Sequence, residues 1–155
     1  RVAESMRELF SRADIRLELE DPPREQAADG IFVKADAVRL EQVLTNLLRN
    51  ALKAVPAGGF VRIGCGTVDE GGRRMAEITV TDNGAGIPKQ AVPLVFDRFY
   101  RAGSSSGGSE GMGLGLAICK EIVEIHGGVI GVESEASRFH VRLPVMEGEN
   151  MEHRG

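Results

Sequence analysis

The sequence is poor in cysteine and in large aromatic residues: its 155 residues include two cysteines, one tyrosine and no tryptophan. Cys65 and Cys119 are isolated, so neither a disulfide framework nor a C-x-x-C zinc site is expected. This pattern predicts a domain that works in a reducing cytoplasm. No apolar run approaches the roughly 20 residues of a membrane-spanning helix, and no signal peptide opens the chain. We therefore expect no direct membrane contact from this domain.

A strong excess of one charge is also missing. The net charge is −4, and the charged residues are spread along the chain instead of forming blocks. This argues against a general nucleic-acid or anionic-membrane binder. Hydrophobic residues make up 42% of the chain, which is enough for a core at this size, and the length indicates one domain.

Hydrophobic periodicity predicts helices in two groups, between strands that can pair as antiparallel hairpins. Helices are predicted over 2–13, from an N-cap at Asp36 to about Val55, shortly after Pro88, and over 113–126. Strands are predicted over 15–20, 31–34, 60–68, 75–82, 129–133 and 139–143. We expect an α/β (α+β) fold, a two-layer sandwich of a mixed, mainly antiparallel sheet against about three helices. Because strands and helices do not alternate strictly as βαβ units, a doubly wound nucleotide fold is disfavoured. Separately, residues 146–155 are predicted to be a disordered tail.

The long helix after Asp36 carries a polar stripe. Asn46, Asn50 and Lys53 are spaced i, i+4, i+7, about a third of a turn from the predicted core face. That core face consists of Leu40, Leu44, Leu47, Ala51 and Ala54. Asparagine is a middling-to-poor helix former, so two of them in mid-helix suggest a function. The stripe is either a solvated flank or an oxygen-rich ledge, where the Asn50 amide binds Mg²⁺ and Lys53 meets phosphate charge.

An acidic residue is predicted on the inner face of the 75–82 strand. Asp82 has the same parity as three apolar residues, Ala76, Ile78 and Val80. A buried carboxylate must be hydrogen-bonded or paired. Asp82 either caps the backbone of an Asp-Asn-Gly turn or accepts a hydrogen bond from a ligand amino group, such as the exocyclic amine of adenine. Gly84 and Gly86 lack a Cβ, which would let a flat ring approach the backbone.

A glycine-rich stretch, "GMGLGL", opens the last predicted helix and contains Gly111, Gly113 and Gly115. Free N–H groups and the helix dipole make such an end an anion site. The pattern does not follow a strand, as a dinucleotide-binding fingerprint requires. The glycine- and serine-rich segment 103–110 before it is either an ordinary flexible loop or a mobile lid over phosphates.

In this order, these segments resemble the ATP-binding catalytic domain of sensor histidine kinases, within the gyrase, Hsp90, histidine kinase and MutL superfamily. "RLEQVLTNLLRNALKAV" is similar to the N box, "DNGAG" to the G1 box, "VFDRFYR" to the F box and "GMGLGL" to the G2 box. The resemblance covers about 2–143. It implies the Bergerat-type ATP-binding fold over 1–145, with 1–13 as a possible remnant of the connection to a dimerisation domain.

The resemblance implies ATP and Mg²⁺ as cofactors. Asn50 would bind Mg²⁺, Asn46 would support the metal or the phosphates, and Lys53 would contact phosphate. Asp82 would hold the adenine amino group, and Arg101 would reach the γ-phosphate. The other residues assigned to the nucleotide site by resemblance are Gly84, Gly86, Ile87, Phe99, Tyr100, Gly111, Gly113, Leu114, Gly115, Leu116, Ile118, Ile122 and Ser137.

Three positions depart from the family pattern. Met112 stands where the G2 box usually has Thr, which removes one hydroxyl from the phosphate region. The glycine-rich turn before the last strand is shortened to "EASRF", with Ser137 where Thr is common, which weakens the assignment of an adenine-side hydroxyl. Ala54 follows Lys53, so a phosphate contact sometimes made at that position is absent.

None of the three histidines, His126, His140 and His153, has the context of a phosphoacceptor. The resemblance therefore implies that the chain donates the γ-phosphate of ATP to a histidine on a separate dimerisation domain. It further implies a response regulator receiver domain as partner and a homodimeric parent, either soluble or anchored in the inner membrane. The alternatives are an anti-sigma-type serine kinase, a nucleotide-binding regulator without turnover, and a hydrolytic ATPase of the gyrase or MutL kind.

Overall fold

The computed structural model describes residues 2–20, 33–97, 115–133 and 137–146. Its helices are α1 (Val2–Arg12), α2 (Ala37–Ala54) and α3 (Gly115–Ile125), with a 3₁₀ helix at Lys89–Leu94. Its strands are β1 (Arg16–Leu19), β2 (Phe60–Glu70), β3 (Arg73–Asp82), β4 (Val129–Glu133) and β5 (Arg138–Pro144). Within these ranges, no helix combines the length and apolar character needed to cross a bilayer. The predicted tail beyond Met146 lies outside the described residues.

The five strands form one sheet in the order β1-β2-β3-β5-β4. β1 pairs with β2 in parallel, whereas the β2–β3, β3–β5 and β4–β5 pairs are antiparallel. Helices α2 and α3 pack against each other, and their buried side chains share one core with the inner face of the sheet. The predicted two-layer sandwich with a mixed, mainly antiparallel sheet is confirmed.

Helix α2 begins and ends where the sequence predicts. The Asp36 carboxylate caps it by accepting hydrogen bonds from the backbone N–H groups of Val38 (3.0 Å) and Arg39 (3.3 Å). Val55 is its C-cap, directly before Pro56. The predicted core face needs correction, because Ala54 is exposed at the last turn and Leu40 and Leu44 are only partly buried. The buried residues of α2 are Val43, Leu47, Leu48 and Ala51.

The β2–β3 hairpin is longer than predicted. Gly71 (φ 60°) and Gly72 (φ 80°) form its two-residue turn, and positive φ at both positions matches the twist of antiparallel strands. Val61 and Ile63, on one face of β2, are buried, whereas Cys65 on the same face is exposed. The predicted strand at 31–34 is wrong in its described part, because Val33 makes a single antiparallel bridge with Val145.

His126 fastens the end of α3 to the start of α2. Its Nε2 accepts a 3.0 Å hydrogen bond from the backbone N–H of Asp36, and its Nδ1 lies 2.8 Å from the Ile122 carbonyl oxygen. Because a backbone N–H can only donate and a carbonyl can only accept, the ring carries its hydrogen on Nδ1. Both ring nitrogens of His126 are therefore occupied by structural contacts.

Candidate functional site

Helix α2 connects the two ends of the candidate site. The Nδ2 of Asn46 donates a 3.3 Å hydrogen bond to the carbonyl oxygen of Gly115, the first residue of α3. Two turns later along α2, the Ala54 carbonyl oxygen lies close to Gly84. A Cβ added at Gly84 would be only 2.7 Å from that oxygen. Asn50 is one helical turn from both Asn46 and Ala54. The amide of Asn50 thus lies between the start of α3 and the loop after β3.

The polar stripe of α2 contains two half-buried amides and one exposed ammonium group. Asn46 and Asn50 are half-buried, and Lys53 is exposed near the end of the helix. Asn46 is held by α3, whereas the Asn50 side chain has no hydrogen bond to any described residue. Of the two amides, Asn50 therefore has the carbonyl oxygen best placed to meet a ligand or a metal ion.

Asp82 is buried at the end of β3, with 6% of its surface exposed, so its predicted inward orientation is confirmed. Its Oδ1 accepts hydrogen bonds from the backbone N–H of Gly84 (2.8 Å) and from the hydroxyl of Ser137 (2.9 Å). Within the described chain, Oδ2 receives no hydrogen bond. Oδ2 is not one of the fully buried unpaired atoms of the described residues, which leaves it available to a donor on a ligand. The turn-capping and ligand-binding interpretations are therefore compatible, since each uses one oxygen.

The loop after Asp82 depends on two glycines. At Gly84 a Cβ would lie 2.7 Å from the Ala54 carbonyl oxygen and 3.0 Å from Asp82 Oδ1. Gly86 has φ 84°, a conformation that side chains with a Cβ rarely adopt. Ile87 follows and packs against the core. These residues bring the loop backbone close to both Asp82 and the end of α2.

Ser137 lies directly against Asp82, although the shortened turn made its role doubtful. Its backbone is in the left-handed region (φ 46°), and the residue is 6% exposed. Besides the hydroxyl contact, the Ser137 carbonyl accepts a 3.2 Å hydrogen bond from the backbone N–H of Asp82. The start of β5 thus holds both the backbone and the carboxylate of Asp82.

The start of α3 packs onto the polar stripe of α2. Leu116 and Ile118 are partly buried against the core, and Ile122 is buried within it. Cys119 is fully buried, with its Sγ 3.6 Å from the Val43 carbonyl oxygen. Burial raises the pKa of the Cys119 thiol to about 11, so the thiol stays protonated at neutral pH.

Six predicted site residues lie outside the described residues: Phe99, Tyr100, Arg101, Gly111, Gly113 and Leu114. The contacts assigned to these residues, with the start of the lid and with the phosphates of the nucleotide, stay predictions. Apart from Asn50 and Lys53 on α2 and Ile118 and Ile122 on α3, the described candidates fall into two groups joined by α2. One group is Asn46 with Gly115 and Leu116, and the other is Asp82 with Gly84, Gly86, Ile87 and Ser137.

Two residues near the site were missed at the sequence level. Asn83 Oδ1 accepts a 2.8 Å hydrogen bond from the Phe60 backbone N–H, which ties the turn after β3 to the start of β2. The turn chemistry of the Asp-Asn-Gly sequence could have suggested this contact. Cys119 had no such signal, because its position beside Asn46 depends on how α2 and α3 pack.

The described side chains fit a nucleotide with its metal ion. Mg²⁺ prefers few protein oxygens together with phosphate oxygens and water, and the half-buried amide of Asn50 offers one such oxygen. In the part of the chain that the structure describes, no three His, Cys, Asp or Glu side chains cluster as metal ligands. The unpartnered Oδ2 of Asp82 suits an amino group of the base.

Comparisons with known proteins agree with this geometry. Residues 35–147 match the family described as histidine kinase-, DNA gyrase B- and HSP90-like ATPase. The adaptive-response sensory kinase SasA of Prochlorococcus marinus is 41% identical over 123 residues, which cover 77% of this chain and 32% of that protein. The chain thus spans about a third of the length of the SasA relatives and 20% of the sensor histidine kinase WalK of Bacillus subtilis.

Solved structures show the same fold. The mycobacterial sensor histidine kinase MprB superposes with a TM-score of 0.68 and 32% identity, covering 93% of this chain and 91% of that one. The histidine kinase ThkA, solved in complex with the response regulator protein TrrA, gives a TM-score of 0.72 at 27% identity. That match covers 94% of this chain and 38% of the ThkA chain.

Proposed function

This chain belongs to the histidine kinase-, DNA gyrase B- and HSP90-like ATPase family, and on that premise we propose that it binds Mg·ATP and donates the γ-phosphate to a histidine. The accepting histidine lies on a separate dimerisation domain. His126, directly after α3, uses both ring nitrogens in structural contacts. In this proposal the chain acts as the nucleotide-binding domain of a protein histidine kinase.

The buried carboxylate of Asp82 is the observation that carries this proposal. Its Oδ1 is occupied by Gly84 and Ser137, which leaves Oδ2 as the acceptor for a donor on the ligand. The adenine base offers an amino group as donor, whereas guanine offers a carbonyl oxygen at the corresponding ring position. A lone acceptor therefore favours ATP over GTP.

The chain's own residues would position the triphosphate. Asn50 would offer its amide oxygen to the metal, and Lys53, exposed on the same stripe, would meet the phosphate charge. The N-terminus of α3, at Gly115 and Leu116, presents free backbone N–H groups to phosphate oxygens. Bound Mg²⁺ would neutralise phosphate charge during the transfer. Positioning and charge neutralisation supply most of the catalysis in phosphoryl transfer, so no general base is assigned in this chain.

The partners follow from the same proposal. SasA is named a sensory kinase, and ThkA was solved in complex with a response regulator protein. We propose a dimerisation domain carrying the phosphoacceptor histidine as the immediate partner, and a receiver domain as the next acceptor. The parent protein would be a homodimer, with residues 1–145 as its ATP-binding domain.

The test uses the longer parent protein and ATP labelled on the γ-phosphate. We expect label on the protein that is lost in acid and retained in alkali, because a phosphoramidate on histidine has this stability. Label that resists acid would indicate a serine kinase. Release of free phosphate without labelled protein would indicate a hydrolytic ATPase, and binding without either product would indicate a regulator.

A further inference from the structure

Asn83 extends the pairing of β2 with β3 by using its side chain. Its backbone N–H donates a 3.4 Å hydrogen bond to the Phe60 carbonyl oxygen, and its Oδ1 accepts a 2.8 Å hydrogen bond from the Phe60 backbone N–H. In a regular antiparallel ladder, both hydrogen bonds of such a pair join backbone groups. The amide oxygen of Asn83 thus takes the place of its own backbone carbonyl, which is not needed to pair with β2.

This exchange lets the chain leave the sheet directly after Asp82. Strand β3 ends at Asp82, and the chain has already turned at Gly84, whose N–H donates a 2.8 Å hydrogen bond to Asp82 Oδ1. The Asp82 side chain closes this turn locally, as Asp side chains commonly do. Asn83, in the middle of the same turn, ties it to the start of β2. Its side chain therefore keeps the two strands paired while its backbone follows the turn.

The residues around this turn leave room for the Asn83 side chain. A Cβ added at Gly59 would lie 2.6 Å from Asn83 Oδ1 and would also clash with the Val55 side chain. A larger residue at position 59 would therefore occupy the space that the amide oxygen takes. The next residue of the turn, Gly84, lies so close to α2 that an added Cβ would be 2.7 Å from the Ala54 carbonyl oxygen. The turn is thus held between the end of α2 and the start of β2.

We propose that Asn83 is a positioning residue for base recognition: by pairing with Phe60 through its side chain, it holds the turn that brings the Gly84 N–H onto Asp82 Oδ1. This rests on the proposed Mg·ATP function and adds a residue to its base-binding side. Asn83 acts through Asp82, since its own amide oxygen is occupied by Phe60. Its loss should therefore weaken recognition of the base, whereas binding of the triphosphate should be unaffected.

The first experiment needs no nucleotide. Exchange of the Phe60 and Gly84 backbone N–H groups with water is followed by ¹H–¹⁵N NMR in the wild type, Asn83→Ala and Asn83→Asp. We expect Asn83→Ala to speed exchange at both positions by about twofold to tenfold, the equivalent of one lost hydrogen bond. Asn83→Asp keeps an oxygen acceptor and should stay close to the wild type. Gln90→Ala, which removes another exposed amide, is the matched control. Unchanged exchange at Gly84 in folded Asn83→Ala would overturn the proposal.

The second experiment measures the affinities for ATP and for inorganic triphosphate by calorimetry, both with Mg²⁺. We expect Asn83→Ala to lower the affinity for ATP by roughly twofold to tenfold and to leave that for triphosphate nearly unchanged. Asn83→Asp should restore ATP binding at about 0.15 M salt, which screens its added charge. An equal loss for both ligands, a loss for neither, or no rescue by Asp contradicts the positioning role. If the wild type binds no ATP, the proposed function fails, while the exchange at Gly84 still decides whether Asn83 holds the turn.

Discussion

The hydroxyl of Ser137 donates a 2.9 Å hydrogen bond to Oδ1 of Asp82, across 55 positions of sequence. Gly84 donates to the same oxygen from the other side of the strand end. Two donors on Oδ1 orient the carboxylate, and Oδ2 receives no hydrogen bond from the described residues. Base selectivity should therefore depend on Asp82 more than on any other described side chain.

Asp82→Asn is expected to weaken the binding of ATP more than the binding of inorganic triphosphate, which carries no base. The Asn Oδ1 would keep the hydrogen bonds from Ser137 and Gly84, which sets Nδ2 where Oδ2 was. Two donors, Nδ2 and the adenine amine, would then face each other. We expect a loss of ATP affinity of about 2–4 kcal/mol, measured by calorimetry against inorganic triphosphate.

The control for this prediction is Asp69→Asn, an exposed carboxylate near the end of β2, which should bind ATP like the wild type. Equal competition by ATP and GTP for the unmutated chain would remove Asp82 from base recognition.

Asn50→Ala should abolish the Mg²⁺-dependent part of ATP binding and leave the helix folded. Asn50 makes no hydrogen bond to the described residues, so its removal costs little in folding, and alanine is the better helix former. Affinity would be measured with and without Mg²⁺, and folding by circular dichroism. Arg49→Ala, at the neighbouring exposed position, is the matched control. An undiminished effect of Mg²⁺ in Asn50→Ala would exclude this amide from the metal site.

Gly84→Ala should destabilise the fold by about 1–3 kcal/mol, because the new Cβ would lie 2.7 Å from the carbonyl oxygen of Ala54. The loop or the end of α2 must shift to accommodate it. Gly115→Ala is the comparison, since its Cβ would meet no atom of the described residues within 4 Å. Urea unfolding should show a loss of stability for the first variant only. Equal stability of the two variants would contradict the close approach between the loop and α2.

His140 should make the protein less stable in mild acid. Its Nδ1 is buried without a hydrogen-bond partner, and its ring lies against Gly131. Burial, followed by the nearby positive charge of Arg142, lowers the His140 pKa below 6.5. Three carboxylates oppose this shift, those of Glu77, Glu133 and Glu70.

The sign of the effect follows from the two states. The unfolded chain takes up a proton on His140 near its ordinary pKa of 6.5, whereas the folded chain resists until a lower pH. Stability is therefore full above pH 6.5 and falls as the pH drops through and below that value. Urea unfolding at pH 7.5 and 5.5 should show a smaller decrease for His140→Gln than for the wild type. The same decrease in both proteins would exclude His140 as a source of acid sensitivity.

Local sequence signals were sufficient to predict much of the fold. The Asp36 cap, the Pro56 stop and the paired glycines at 71–72 act within a few residues, so the limits of α2 and the β2–β3 turn could be predicted. The alternation of residues along β3 was sufficient to predict that the Asp82 side chain points inward. The burial of Leu48 and the exposure of Ala54 were missed, because both depend on where the neighbouring elements pack over α2.

The contacts within the candidate site depend on long-range packing. The hydrogen bond between Ser137 and Asp82 requires the register of β3 against β5, which places Thr81 opposite Arg138. The contact between Asn46 and Gly115 requires α3 to lie along α2, across 69 positions. No periodicity or capping rule carries this information. The residue types of the site could therefore be predicted, whereas their hydrogen bonds could not.

The most direct measurement is a crystal structure of the chain with Mg²⁺ and a non-hydrolysable ATP analogue. We predict that the adenine amino group lies within hydrogen-bond distance of Asp82 Oδ2. The amide oxygen of Asn50 should face the metal, and the phosphates should lie at the N-terminus of α3. A nucleotide bound elsewhere, or Asp82 and Asn50 bordering separate surfaces with no ligand between them, would contradict the proposed site.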